Sequence, residues 1–385
     1  MLKDPTPAPL ETPPPTAQGE LAEALVERAC ALHQRAVTAR EAGDLRRSEA
    51  LAREALGMME KGAGAGHPDV ANLLLHLAEI RGEQARYEEA EAGCRRALAI
   101  LTALPDGLGE DVDRLRIQAL TGLGRFLCTR ARYEEARGCL RRALGRARKA
   151  FGPDAVEVAE ALNALGVLGK YSGRFDESEA RYRRALAILE AAHGPDHPDL
   201  ASLHHNLGGL EHARGRPARG EPHARRSVEI RQRILGPDHP QVAADVAALA
   251  ALVQDQGRYR EAEALYRRAL AIFEEVYGPE HYEVAFNLGN LAALDHQRGD
   301  TAGAEDLYRR SIALKERILG PDHPELALCL SNLALLHAEQ GRFDDAHGAY
   351  RRALDIFDAA LPRDHPQAAA CREGLAALKR ARREG

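Results

Sequence analysis

Apolar residues recur along this chain at the three-and-four spacing of a helix, in blocks that alternate with short polar turns. Residues 238–256 (DHPQVAADVAALAALVQDQ) follow that spacing and stop at Gly257. Residues 258–277 (RYREAEALYRRALAIFEEVY) follow it again and stop at Gly278-Pro279. A glycine just past a periodic run, with proline behind it, ends a helix. The pattern therefore predicts two antiparallel helices, and it repeats.

The marker Gly-Pro-Asp-His-Pro stands at Gly194–Pro198, Gly236–Pro240 and Gly320–Pro324, with a variant at Gly278–Tyr282, so its glycines step by 42 residues. A second column, Leu45, Tyr87, Tyr133, Phe175, Pro217, Tyr259, Thr301 and Phe343, keeps the step of 42 except from Tyr87 to Tyr133, which is 46. The four extra residues fall in the Pro/Gly-containing stretch Leu104–Asp111. A fixed period of this size means a solenoid, in which each unit buries its apolar face only against its neighbours. Leu77, Leu123, Leu165, Leu207, Leu249, Leu291 and Leu333 supply the apolar column of the first helices. Small residues at Ala90, Ala136, Ser178, Gly220, Ala262, Ala304 and Ala346 let the second helices approach closely. Asp196, Asp238, Glu280, Asp322 and Asp364 are expected to cap the first helices, with an acid or amide three residues later completing a capping box and the proline of His-Pro in the first turn.

The boundaries predict eight helix pairs, at about 20–62, 63–106, 107–151, 152–193, 194–235, 236–277, 278–319 and 320–361, then a last helix at 364–383. Residues 1–19 are Pro-rich with few apolar groups and are expected to be disordered. The array is assigned to 20–361, and a capping helix and tail to 362–385. The fifth unit carries Pro217, Gly220 and Pro222 at the opening of its second helix, which predicts fraying or a hinge there.

The unit resembles the tetratricopeptide repeat. Leu165-Gly166, Gly173-Arg174-Phe175, Ser178 and Ala185 match that family's pattern, as do Leu249-Ala250, Gly257-Arg258-Tyr259, Ala262 and Ala269. The 42-residue form, with Asn-Leu-Ala, Tyr-x-Glu-Ala, Arg-Ala-Leu-x-Ile and Gly-Pro-Asp-His-Pro, is similar to the repeats of kinesin light chain. The resemblance implies an all-α right-handed superhelix of about eight antiparallel helix pairs plus a C-terminal capping helix. It also implies a concave groove, lined by the first helices, that holds a peptide or protein segment. Carried over by position, the lining is Arg125, Asn163, Lys170, His205, His212, Gln254, Phe286, Asn290, His296, Leu328, Asn332 and Leu335. Amides there suit a peptide backbone, Arg125 and Lys170 a carboxylate, and Phe286, Leu328 and Leu335 an apolar side chain.

Composition narrows the partners. The chain has 385 residues, a formal net charge of −5 and no tryptophan. That balance argues against nucleic acid or an anionic membrane as partner. The abundance of Arg over Lys, with much Ala and Gly, points to a GC-rich bacterial genome. The six cysteines form no CxxC pair and sit inside helical patterns, which fits a reducing compartment. No signal pattern or long apolar run is present, so a cytoplasmic protein is expected.

Other chemistry finds little support. The periodic histidines His67, His197, His239, His281, His323 and His365 stand one per repeat, too dispersed to converge on one metal ion, and read as structural. The paired arginines, such as Arg183-Arg184 and Arg267-Arg268, follow Glu179 and Glu263 by four residues, the spacing of helix-surface ion pairs. No GxxxxGK[ST], GxSxG or HExxH motif occurs, so neither an enzyme nor a cofactor is expected. The reading is a protein-interaction scaffold. A regulatory peptide sensor and a self-assembling scaffold are the alternatives.

Overall fold

The computed structural model describes residues 17–41, 44–84, 86–360 and 365–384. Every regular element among them is a helix. The eight pairs are α1 (Ala17–Glu41) and α2 (Leu45–Gly62), α3 (Pro68–Glu83) and α4 (Tyr87–Ala103), α5 (Glu110–Thr129) and α6 (Tyr133–Phe151), α7 (Val156–Tyr171) and α8 (Phe175–His193), α9 (Pro198–Ala213) and α10 (Pro217–Leu235), α11 (Pro240–Gln254) and α12 (Tyr259–Tyr277), α13 (Tyr282–Gln297) and α14 (Thr301–Leu319), and α15 (Pro324–Glu339) and α16 (Phe343–Ala360); α17 (Pro366–Glu384) ends the array. Of residues 1–19, expected to be disordered, the first sixteen lie outside the described residues, and the last three instead open α1 at Ala17.

The small-residue columns pack as the pattern predicts. Ala90, Ala136, Ala262, Ala304 and Ala346 are fully buried. Ser48 and Ser178 take the same place and donate to the carbonyls of Ala36 (2.7 Å) and Gly166 (2.6 Å) on the facing helix. Tyr182, Tyr266, Tyr308 and Tyr350 form a buried aromatic column that fills the space the small residues leave. The fit is tight: a Cβ on Gly166 would lie 2.4 Å from the Tyr182 ring.

The helix starts differ from expectation by one residue. The caps are histidines, not the preceding acids. Nδ1 of His67, His197, His239, His281, His323 and His365 accepts the amide two residues on, at 3.2–3.3 Å. In the His-Pro units the proline's fixed φ makes it the first helical residue, which leaves the histidine as cap. Asp196 therefore stands outside α9, where it pairs with Arg226 at 2.6 Å. The fifth unit does not fray. Pro217 sits in the first turn of α10, and the helix runs unbroken through Pro222 to Leu235. Pro222 forfeits one early hydrogen bond there, and the rest of the helix keeps its ladder.

The four-residue insertion forms the loop between α4 and α5, anchored by Arg116, which is 2% exposed. Its guanidinium donates to the carbonyls of Leu101 (3.0 Å), Leu104 (2.7 Å) and Pro105 (2.9 Å) and meets Asp106 and Asp113 at 3.1 and 3.3 Å.

The solenoid closes on itself. Three cap histidines use their second nitrogen on carbonyls about 200 residues earlier. His281 Nε2 donates to Glu83 O at 2.7 Å, His323 Nε2 to Thr129 O, and His365 Nε2 to Tyr171 O at 3.1 Å. The sequence separations are 198, 194 and 194 residues. With Nδ1 accepting from an amide, each ring is the neutral Nε2–H tautomer. Tyr87 and Tyr282 meet edge to face across the same seam, 6.4 Å between centroids. One apolar cluster contains Tyr133, Leu165 and Leu168 of the first turn together with Leu326, Ala327 and Leu330 of the second.

An ion-pair ladder runs along the second helices. Glu49, Glu91, Glu179, Glu221, Glu263 and Glu305 share one position. From Glu91 onward each meets the arginine four residues on (Arg95, Arg183, Arg225, Arg267, Arg309). Each of the six also meets an arginine entering from the next unit (Arg86, Arg130, Arg214, Arg258, Arg298, Arg342). The hydrogen bond from Arg258 holds the Glu221 carboxyl down at about 2. At these six glutamates the arginine-rich face is neutralised, as the Glu-to-Arg spacing predicts.

Candidate functional site

Closure turns the concave face into a channel. In its first turn, a cleft of about 810 Å³ is lined by α1, α3, α5, α7 and α9, with Cys94 of α4 and Arg231 of α10. Successive turns of each first helix point the same columns inward: Asn72, Gln118, Glu160 and Ser202 in one, Glu79, Arg125 and Val167 in another. A second cleft of about 520 Å³ follows the seam between the turns, from Arg40, Glu79 and Glu83 to His281, Tyr282 and Glu283. Arg125 lines both clefts.

Three of the expected groove residues meet in the larger cleft. Arg125 is exposed, and its guanidinium has no ion pair or hydrogen bond among the described residues. Asn163 Oδ1 accepts from Asn206 Nδ2 at 2.8 Å. His205 Nδ1 lies 2.7 Å from Oδ1 of the fully buried Asp245, which Arg231 also meets at 3.1 Å. Lys170 does not line that cleft; its amine lies 4.7 Å above the Tyr171 ring, and burial lowers its pKa.

The other expected residues are spread along the channel. His212 pairs with Asp255 at 3.2 Å and His296 with Glu339 at 2.7 Å. Gln254 is buried, accepting from Tyr266 Oη (3.1 Å) and donating to Gln297 (3.0 Å). Phe286, Leu328 and Leu335 lie on the second turn and are 36%, 37% and 45% exposed, with the Lys315 amine 5.1 Å above the Phe286 ring. Asn290 and Asn332 are half-buried on the same face.

Four lining groups were not expected from the sequence. His76 is buried with neither ring nitrogen partnered, and the buried Thr121 hydroxyl is unpartnered too. Burial lowers His76 to about 4, so it is a neutral ring able both to donate and to accept. The His33 ring lies 5.0 Å from it, tilted by 42°. Burial and the acids Asp199, Glu157 and Glu79 raise Glu160 to about 7. His33, His76 and Thr121 belong to the first three units and Glu160 to the fourth, and their meeting in one cleft depends on superhelical closure.

On the seam, Tyr282 Oη donates to both carboxylate oxygens of Glu325 at 2.8 Å, and buried Lys315 lies 3.5 Å from that carboxylate. Burial, then repulsion from Glu325, raises Glu283 to about 7. A carboxyl raised above its unfolded value is tolerated when protonated and penalised once ionised, so its contribution is lost as pH rises through about 7. Glu283→Gln is therefore expected to raise stability by roughly 1–3 kcal/mol at pH 8 and to change little at pH 5. Thermal unfolding at the two pH values checks this, and a gain confined to pH 5 contradicts it.

Elsewhere, His193, His197 and Asp199 bring potential ligand atoms within 4.8 Å of one another on a peripheral loop, although His197 Nδ1 already serves as a helix cap. No described helix is long and apolar enough to cross a membrane.

Paired helices stacked into a closed solenoid around a channel define a protein-interaction scaffold. The tetratricopeptide repeat pattern matches residues 27–103, 115–191, 170–219, 199–245, 242–317 and 299–359, and the chain belongs to that family. Its repeats keep a 42-residue period. No curated protein matches the sequence. Among solved structures, a Rap protein complexed with competence and sporulation factor is similar over 93% of this chain and 99% of its own, at 15% identity and a TM-score of 0.59. NprR in complex with its cognate peptide NprX is similar over 84% of each chain, at 13% identity and a TM-score of 0.57. BtubC (BKLC) from P. vanneervenii aligns over 68% of this chain and 93% of its own, at 20% identity and a TM-score of 0.43.

Proposed function

We propose that this protein is a non-enzymatic scaffold that holds a peptide or an extended protein segment in the channel of its first superhelical turn. The observation that carries the reading is the set of unspent polar groups facing one cleft: the Arg125 guanidinium, both nitrogens of His76 and the Thr121 hydroxyl. Buried polar groups without partners cost stability in the free protein. A ligand that bonds them recovers that cost. The Rap and NprR structures, of the same fold, were determined with a bound factor and a cognate peptide, which supports the reading. Phe286, Leu328 and Leu335 extend the lining into an apolar stretch for a longer ligand.

The regulatory reading draws on one further observation. Arg125 lines both the channel and the seam, so a ligand engaging it also contacts the contact zone between turns.

The test is selection of displayed peptides on the wild-type protein, followed by affinity measurements on two variants. Arg125→Glu is expected to weaken the selected peptides by at least about tenfold, from loss of a charge-assisted contact. The Phe286/Asn290/Asn332 triple alanine variant is expected to weaken only peptides long enough to reach the second turn. Unchanged affinity in both would remove the channel as the site.

A further inference from the structure

The ion-pair ladder has one broken rung. In the first seven helix pairs the ladder position holds a glutamate, except in the third, where Arg137 stands. The arginines that would flank a carboxylate there are still present. Arg141 is four residues on, and Arg174 enters from the next unit. Neither has an ion pair among the described residues, and Arg137 has only Glu134, at 3.0 Å, on its own helix. Arg137 and Arg174 thus line one gap where the neighbouring glutamate rungs place an anion between their arginines.

A cavity of about 590 Å³ opens at this spot, lined by Arg137, Arg174, Arg132, Tyr133 and Ala360 of α16. Glu134 and Glu135 also reach it, but each is engaged, Glu134 by Arg137 and Glu135 by Arg132 at 2.7 Å. Arg174 is left as the uncompensated charge. We infer that the gap beside Arg137 and Arg174 is a docking site for a carboxylate side chain on an acidic segment of a partner protein, which completes the rung from outside. The site is separate from the inner channel and goes beyond the function proposed for it.

Two features select a carboxylate. The intact rungs each hold one singly charged glutamate between arginines, and the gap lined by Arg137 and Arg174 lacks that carboxylate, so a carboxylate supplies the charge the repeat places there elsewhere. Glu134 and Glu135 at the rim repel a doubly charged phosphate more strongly than a single carboxylate. Tyr133 and Ala360 offer apolar wall for the methylene stem of an incoming glutamate.

The test uses fluorescein-labelled hexaglutamate, followed by anisotropy at roughly physiological ionic strength, where non-specific attraction is screened. Wild type is expected to bind it. Arg137→Glu supplies the missing carboxylate from within the chain and is expected to weaken binding at least about tenfold without lowering the unfolding temperature. Arg174→Ala, which leaves the ladder position unchanged, is expected to weaken it as well. Arg351→Glu makes the same charge change at an exposed position on α16 and is expected to leave binding within about twofold. Acetate is expected to displace the peptide at lower concentration than inorganic phosphate does. Absence of wild-type binding, equal losses in Arg137→Glu and Arg351→Glu, or stronger competition by phosphate overturns the proposal.

Discussion

Replacing His281, His323 and His365 together by alanine is expected to lift the second superhelical turn off the first. Each of these rings does two jobs, accepting an amide at its own helix start and donating to a carbonyl about 200 residues away. A lost cap costs about 1 kcal/mol and a lost hydrogen bond about as much. The triple variant should therefore lose roughly 3–6 kcal/mol, concentrated at the seam. The radius of gyration from small-angle scattering should rise, because the seam closes the superhelix. His197→Ala is the control, since that ring caps its helix at 3.3 Å without reaching across the seam. An unchanged radius in the triple variant, with thermal stability reduced as in the control, would show that the apolar contacts close the superhelix unaided. Acid has a related effect at His281. Burial lowers its pKa, opposed by the hydrogen bond to Glu83. The stability its neutral ring contributes is therefore present above about pH 6.5 and lost as pH falls through the lower folded value.

Arg116→Ala is expected to destabilise the protein by about 3–5 kcal/mol, the cost of breaking a buried charge network from one side. Three carbonyls at the end of α4 lose their only side-chain donor, and Asp113 loses a buried partner. Arg116→Lys is expected to recover little, since a single ammonium cannot span the fork that reaches Leu101, Leu104 and Pro105 at once. Hydrogen exchange should quicken first at the end of α4 and the start of α5. Uniform quickening over the whole array, or near wild-type stability, would contradict the assignment.

The helices were legible because each carries its own punctuation. Glycine stops, prolines in the first turn and a regular period place all seventeen within a few residues. The acid-for-histidine error at the caps came from weighing residue type over position: aspartate is the better general cap, but proline settles which residue precedes the helix. The channel was legible only in part. Arg125, Asn163 and His205, expected by position from the family resemblance, do line the larger cleft. His76 and Thr121 become notable through burial and missing partners and Glu160 through its raised pKa, and all of these depend on how much the solenoid curls. Curl is the sum of small rotations between units, and no single motif encodes it. The seam was illegible for the same reason, although its histidines were plainly periodic.

That periodicity bears on how such a chain tolerates changes in length. The clasps are spaced by the repeat itself, so excising residues 194–235 removes one whole unit and leaves neighbour-to-neighbour packing of the same kind. His323 would then stand 198 residues from Glu83, as His281 does now, and His365 would stand 194 from Thr129, as His323 does now. Two of the three clasps could re-form one tooth along, as a ratchet does. Gain or loss of a unit would then alter the length of the coil while preserving the rule by which it fastens.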